Sequence, residues 1–132
     1  MKQSGTKYIF PAIFTPEDDG GFSISFPDIP GCRTQAESIQ EGLYMANDVL
    51  GLMLYNRELR GDKMPSPSAL ESIKTMPGQF VQFIPCDTRF FNTQPIKKTL
   101  TVPMNLNIIA EREGINFSAT LQEALQKKLQ IA

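Results

Sequence analysis

The sequence predicts an α+β chain in two parts. The first is a sheet of order β-β-β-α-β with its helix on one face; the second is a short strand followed by two helices. Three observations predict this. Two apolar-alternating runs flank an acidic glycine turn, "PEDDGG" (residues 16–21). A capped segment of 3.6-residue period follows from Ser38. Beyond Pro95 the last 37 residues read strand, helix, turn, helix, too little chain to bury a core alone. The expected boundaries are 1–90 for the first domain, 91–95 for a linker and 96–132 for the second.

Each element has a local reason. In "TKYIFPAIFT", Tyr8, Phe10, Ala12 and Phe14 share one face, and Pro11 assigns the strand to an edge or marks a bulge. "FSISF" places Phe22, Ile24 and Phe26 on one face and two serines on the other, so the pair forms a hairpin. "PDIPG" forces a turning loop, with Asp28 bonding its own backbone, and "CRTQ" adds a short third strand. Ser38 and Glu41 have the spacing of a capping box, in which serine accepts from a first-turn amide and glutamate from the cap amide. Ile39, Leu43, Ala46, Val49, Leu50, Met53 and Leu54 form the predicted inward stripe of a helix fading before Gly61. "ALESIK" allows one or two helical turns, and "QFVQFIP" (79–85) is a further strand. Phe90 and Phe91 are too apolar for a free linker and are expected to dock.

In the tail, "KKTLTV" sets Lys98, Leu100 and Val102 on one face and Lys97, Thr99 and Thr101 on the other. "MNLNIIAEREG" is a helix with Leu106, Ile109 and Ala110 inward, stopped at Gly114. "INFSATLQEALQKKLQ" is a second, capped by Asn116 or Ser118, with Ala119, Leu121, Leu125 and Leu129 apolar. A lone strand needs a partner, and the same strand of a second copy is the simplest one. The resulting ribbon turns Leu100 and Val102 toward four helices and Lys97, Thr99 and Thr101 outward, in a shape that fits the DNA major groove. The bland alternative is a solvated edge, since threonine favours strands anyway.

Composition narrows the function classes. Charged residues make up 20% of the chain and the formal net charge is −1. Up to residue 95 there are eight Lys and Arg against eleven Asp and Glu; beyond it there are five against three. An acidic body and a basic tail suit two different partners. No histidine is present, which removes Ser-His and Cys-His nucleophiles and His-based zinc sites. Cys32 and Cys86 form no CxxC motif and read as small buried hydrophobes. No apolar run approaches a membrane span, and the basic start lacks a signal-peptide h-region, so no membrane association and a cytoplasmic location are expected.

"KKTLTVPMNLNIIAEREGINFSATLQEAL" resembles a ribbon-helix-helix DNA-binding domain of the MetJ/Arc type. "YIFPAIFTPEDDGGFSISFPDIPGCRTQAESIQEGLYMANDVL" resembles the HicB antitoxins, the stretch "FPDIPGCRTQA" being the most specific part. The resemblance implies a partial RNase-H-like N-terminal domain that binds and neutralises a small basic HicA-like toxin, an mRNA-cleaving ribonuclease. It also implies a dimeric C-terminal domain that represses its own operon on double-stranded operator DNA. DNA contacts then fall to Lys97, Lys98, Thr99 and Thr101 on the ribbon and to Asn116 and Ser118 at the second helix's start, where backbone amides grip a phosphate. The dimer core falls to Leu100, Val102, Leu106, Ile109, Leu121 and Leu125. Candidate toxin contacts are the acidic residues Glu17, Asp18, Asp19 and Asp28, the first three of which also read simply as a hairpin turn. A homodimer is expected, with pairing into tetramers left open, and no cofactor, metal or catalysis. A two-metal nuclease needs clustered carboxylates, and none are apparent in this pattern. That reading, and an effector-controlled repressor with a ligand in the N-terminal domain, remain the alternatives.

Overall fold

The computed structural model describes residues 6–131; the basic start (1–5) lies outside the described residues. The chain folds as two compact units, Met1–Gln94 and Pro95–Ala132.

In the first unit, β1 (Lys7–Pro16), β2 (Phe22–Ser25), β3 (Arg33–Ala36) and β4 (Phe80–Asp87) form one antiparallel sheet in the order β3-β2-β1-β4. The β1–β2 connection is a type I-like turn closed by the Gly20 amide on the Glu17 carbonyl, 3.0 Å, and then by the Glu17 amide on the Gly21 carbonyl, 2.8 Å. Gly20 has φ +92°, the left-handed position that a three-residue hairpin loop requires. The "CRTQ" strand is present as β3.

Pro11 does not put β1 at the edge of the sheet: β1 is an inner strand. Its pairing explains the tolerance. β2 reaches β1 only from Ile13 to Pro16, so at Pro11 that flank is open. The ladder to β4 is hydrogen-bonded at even β1 positions. The Thr88 amide bonds the Thr6 carbonyl at 2.9 Å in continuation of the register. Pro11 and Pro85, opposite Phe83 and Ile9, both fall in the other class of pair, where no N–H is needed on that side.

α1 (Ile39–Arg60) covers the face bearing Phe10, Ala12 and Phe14, each at most 1% exposed. Ser38 accepts from the Glu41 amide at 3.1 Å, as its spacing predicts. The return bond differs: the Glu41 carboxylate accepts from the Glu37 amide at 2.8 Å, one residue before the cap. The buried stripe also differs from the expected one. It runs Gly42, Ala46, Leu50, Gly51 and Leu54, while Ile39 and Leu43 are exposed and Val49 and Met53 lie at the margin. A Cβ at Gly42 would stand 2.9 Å from Phe14, so the helix approaches the sheet where the side chain is absent. The helix ends at Gly61 in the left-handed region.

Ile24, Phe26, Ile29, Cys32, Ala36, Ile84 and Cys86 complete the core. Phe14 stacks on Phe80 at 5.2 Å between centroids, and Phe22 meets both rings edge-on. Such pairs add about 0.5–1.5 kcal/mol each beyond burial. Between α1 and β4, only Leu70–Ser72 forms a 3-10 turn. A second 3-10 turn, Thr88–Phe91, follows β4 and packs on α1. Here the expectation for the phenylalanines divides. The Phe91 ring lies over Gly51, where a Cβ would stand 2.0 Å from it, whereas Phe90 is 85% exposed.

The chain has no regular structure over 92–103; in the second unit α2 spans Met104–Arg112 and α3 Phe117–Leu129. The expected strand "KKTLTV" is not assigned as one, because a strand needs a neighbour and a single chain supplies none. Gly114 has φ +70°. Neither helix buries a residue, and Leu106 and Ile109, expected inward, are both more than half exposed in the single chain.

Candidate functional site

In the first unit the sheet topology gathers five carboxylates. β3 runs back along β2 so that Ala36 pairs with Phe22. The start of α1 therefore arrives beside the 17–21 turn. Glu17, Asp18 and Asp19 from the turn and Glu37 and Glu41 from the helix entrance line a cavity of about 700 Å³, with Phe22 in its wall and no Lys or Arg among its lining residues. Two of the five are engaged: Asp19 accepts from the Gly21 amide at 3.0 Å, and Glu41 from the Glu37 amide. Among the described residues, the side chains of Glu17, Asp18 and Glu37 have no hydrogen-bonded or ionic partner. Carboxylates held together without cations favour a positively charged occupant. Among the described residues, no group of three or more His, Cys, Asp or Glu side chains is placed to hold a metal ion.

Asp28 does not join this groove. Its carboxylate accepts from the Ser68 amide at 2.9 Å and from the Ser68 hydroxyl, stapling the β2–β3 loop to the chain that follows α1. The expected local turn bond is replaced by one spanning forty residues of sequence. Glu37 and Glu41, in contrast, belong to the groove and were not expected there. The signal was available: a four-residue strand returning along another brings the next residues level with the preceding turn.

A second cavity of about 950 Å³ lies beside the start of β1 and the end of β4, with Ile9, Pro85, Phe90 and Phe91 among its apolar walls. Nearby, the Tyr8 hydroxyl donates to Glu58 at 2.7 Å and the Thr88 hydroxyl to the same oxygen at 3.0 Å. Burial first, and then the Glu58 carboxylate, push the Tyr8 phenol up to about 12. Asp87 takes a fork of bonds from Arg89 and another from Thr6, which hold its carboxyl well below the usual range. Burial pushes the Cys32 and Cys86 thiols up to about 11, so they are poor nucleophiles.

In the second unit, Lys97, Lys98, Thr99 and Thr101 are exposed along the segment before α2. Asn116 caps α3, accepting from the Ala119 amide at 2.9 Å. Ser118 stands in the first turn, exposed and without a capping bond. The amides of Phe117 and Ser118 have no partner among the described residues, a geometry suited to an anion. Leu100, Val102, Leu106, Ile109 and Leu125 are 43–57% exposed and Leu121 is half-buried.

A family model described as HicB-like antitoxin of bacterial toxin-antitoxin system matches residues 10–124. The chain is 36% identical over 64 residues to Antitoxin HicB of Escherichia coli K12, a match covering 48% of this chain and 46% of that protein, so it spans about half the length of the curated relative. Among solved structures, it resembles a chain of a toxin-antitoxin complex from Streptococcus pneumoniae with a TM-score of 0.60 and 27% identity, covering 92% of this chain and 99% of that one. The Burkholderia pseudomallei antitoxin HicB gives a TM-score of 0.56 at 17% identity, covering 92% and 98%, and shows the shared fold. With the family model matching most of its length, the chain belongs to the HicB-like antitoxins of bacterial toxin–antitoxin systems.

Proposed function

We propose that this protein neutralises a HicA-like ribonuclease toxin through its N-terminal unit and represses its own operon through a dimeric C-terminal unit bound to operator DNA. Residues 1–90 are the toxin-binding domain, of partial RNase-H-like type, 91–95 the linker and 96–132 a ribbon-helix-helix domain. The observation that carries this reading is the contrast between the units. The first closes a core around Phe10, Phe14, Leu50 and Ile84; the second buries nothing in either helix while exposing Leu100, Val102, Leu106, Ile109 and Leu125. A segment so apolar and so open is completed by a second copy. Pairing two 97–102 segments buries Leu100 and Val102 and presents Lys97, Thr99 and Thr101 from both chains, with Lys98 at the flank. The α3 amides beside Asn116 and Ser118 take a phosphate.

The acidic groove supports a basic toxin as partner of the first unit. Glu17, Asp18 and Asp19 act there together with Glu37, while Asp28 shapes the loop behind it. The test is growth rescue on co-expression with a HicA-like toxin. Asp18→Lys with Glu37→Lys reverses two side chains that make no bonds among the described residues, and is expected to abolish rescue while circular dichroism stays unchanged. Undiminished rescue overturns the groove as the toxin surface. The apolar cavity beside Phe90 favours a second reading, an effector-controlled repressor, which native mass spectrometry would reveal as a retained small molecule.

A further inference from the structure

The two edges of the sheet are unlike. β3 is four residues long and opens with Arg33, a short and charged edge of the kind that resists pairing. β4 is eight residues long, and no charge occurs from Gln79 to Cys86. Because β4 bonds β1 through Phe80, Gln82, Ile84 and Cys86, the backbone groups of Val81, Phe83 and Pro85 point away from the sheet. Both ends of that outer edge are closed. The Gln79 amide is spent on the Met76 carbonyl at 3.0 Å. Pro85 has no N–H, and its carbonyl accepts from the Asn47 side chain at 2.5 Å. Between them, among the described residues, the amides and carbonyls of Val81 and Phe83 have no partner.

This window is self-complementary. A two-fold axis through Gln82 sets Val81 against Phe83 of a second copy and Phe83 against its Val81, and all four outward groups on each strand are then satisfied. The next pair, Gln79 with Pro85, can form no bond, so the ladder stops where the free groups stop. Val81 is half-buried and Phe83 46% exposed on the sheet face away from α1, where Ile9 is 58% exposed, so pairing also joins two apolar strips without opposing like charges.

We propose that the β4 edge at Val81–Phe83 is an antiparallel pairing site for β4 of a second copy of this chain, centred on Gln82. So short a ladder buries far less than the roughly 1,200–2,000 Å² of a stable interface. It forms between copies already held close, and the inference therefore rests on the C-terminal unit being dimeric, which supplies the effective concentration.

The test uses the full chain carrying Gln82→Cys. Gln82 and its symmetry mate form a non-hydrogen-bonded pair with Cα atoms about 4.5 Å apart, within disulfide range. Mild oxidation is expected to give a covalent dimer that the wild type, with its buried Cys32 and Cys86, does not give. Adding Phe83→Pro removes one outward N–H and none of the bonds to β1, so the cross-link is lost while the chain still sediments as a dimer. No cross-link in a chain that sediments as a dimer overturns the edge pairing and leaves the C-terminal reading intact. No cross-link in a monomeric chain overturns both. Slow amide exchange at Val81 and Phe83 in the wild type only after toxin is added assigns the edge to the toxin instead, and also overturns the proposal.

Discussion

Gly51 is occupied by something other than its own side chain. The Phe91 ring fills the space a Cβ would take, which fixes the chain just after β4 against the middle of α1. The effect of Gly51→Ala should depend on that ring. Alone, the added methyl expels Phe91 and forfeits its packing, offsetting the ~1 kcal/mol that alanine gains over glycine inside a helix. With Phe91→Ala already in place, Gly51→Ala should stabilise by about that full amount in urea unfolding. Equal effects in both backgrounds would mean that the ring does not rest there. Tyr8 provides a titratable counterpart. Its folded-state pKa is raised from 10.0 to about 12, so its contribution is complete below pH 10 and lost as pH rises from 10 to 12. Tyr8→Phe keeps the ring and removes the hydroxyl bonded to Glu58. The variant should be less stable than wild type near neutrality, with a gap that narrows between pH 10 and 12. The Cys32 and Cys86 thiols, pushed from 9.0 up to about 11, titrate over an overlapping window in both proteins; because the Cys86 charge also acts on Tyr8, the part of the gap that closes above pH 11 reports the tyrosine most directly.

Between elements, the hydrophobic deficit of α2 and α3 makes the sharpest demand. If the segment 97–102 pairs with its counterpart, Val102 moves from 43% exposed in one chain to the middle of a shared core. Val102→Asp leaves the single chain undisturbed but places an unpaired carboxylate in that core, a cost of several kcal/mol. Sedimentation should then report a monomer whose sheet spectrum is intact; a folded dimer would remove Val102 from the interface. The elements of the first unit were largely legible in the sequence, because alternation, the Ser38 cap and the glycine stops are local signals. The inward stripe of α1 was legible at Ala46, Leu50 and Leu54 but misplaced in its first turns, for a physical reason. Reading apolar side chains favours Ile39 and Leu43, whereas the closest approach to the sheet is made where the side chain is missing, at Gly42 and Gly51. Asp28 was misread likewise, as a local turn bond competes with a partner forty residues away that no local pattern announces. The acidic turn was visible as a turn, but the groove required knowing that β3 doubles back to bring Glu37 beside it.

At the scale of the whole molecule, the charges divide with the structure. The basic surplus beyond residue 95 is small, five cations against three acids, whereas the body carries eleven acids against eight cations. If the second unit binds operator DNA as proposed, few phosphate contacts are available to lysine and arginine, and the α3 amides would share the grip. Such a repressor should lose operator affinity only slowly with added salt. The two proposed activities should also separate cleanly by substitution. Thr99→Ala alters both half-sites of a dimer at once and should cost ~1–3 kcal/mol per lost base contact on operator DNA, with little change on scrambled DNA. The same variant should rescue cells from the toxin as well as wild type does, because Thr99 is exposed in the second unit and the carboxylate groove belongs to the first. Titrations on both DNAs over a range of salt, beside a rescue assay, decide it. Equal losses on operator and scrambled DNA would mean that the ribbon does not read bases. Failed rescue by a dimeric, folded Thr99→Ala would mean that the second unit takes part in holding the toxin, so that the acidic groove is only one part of a larger surface.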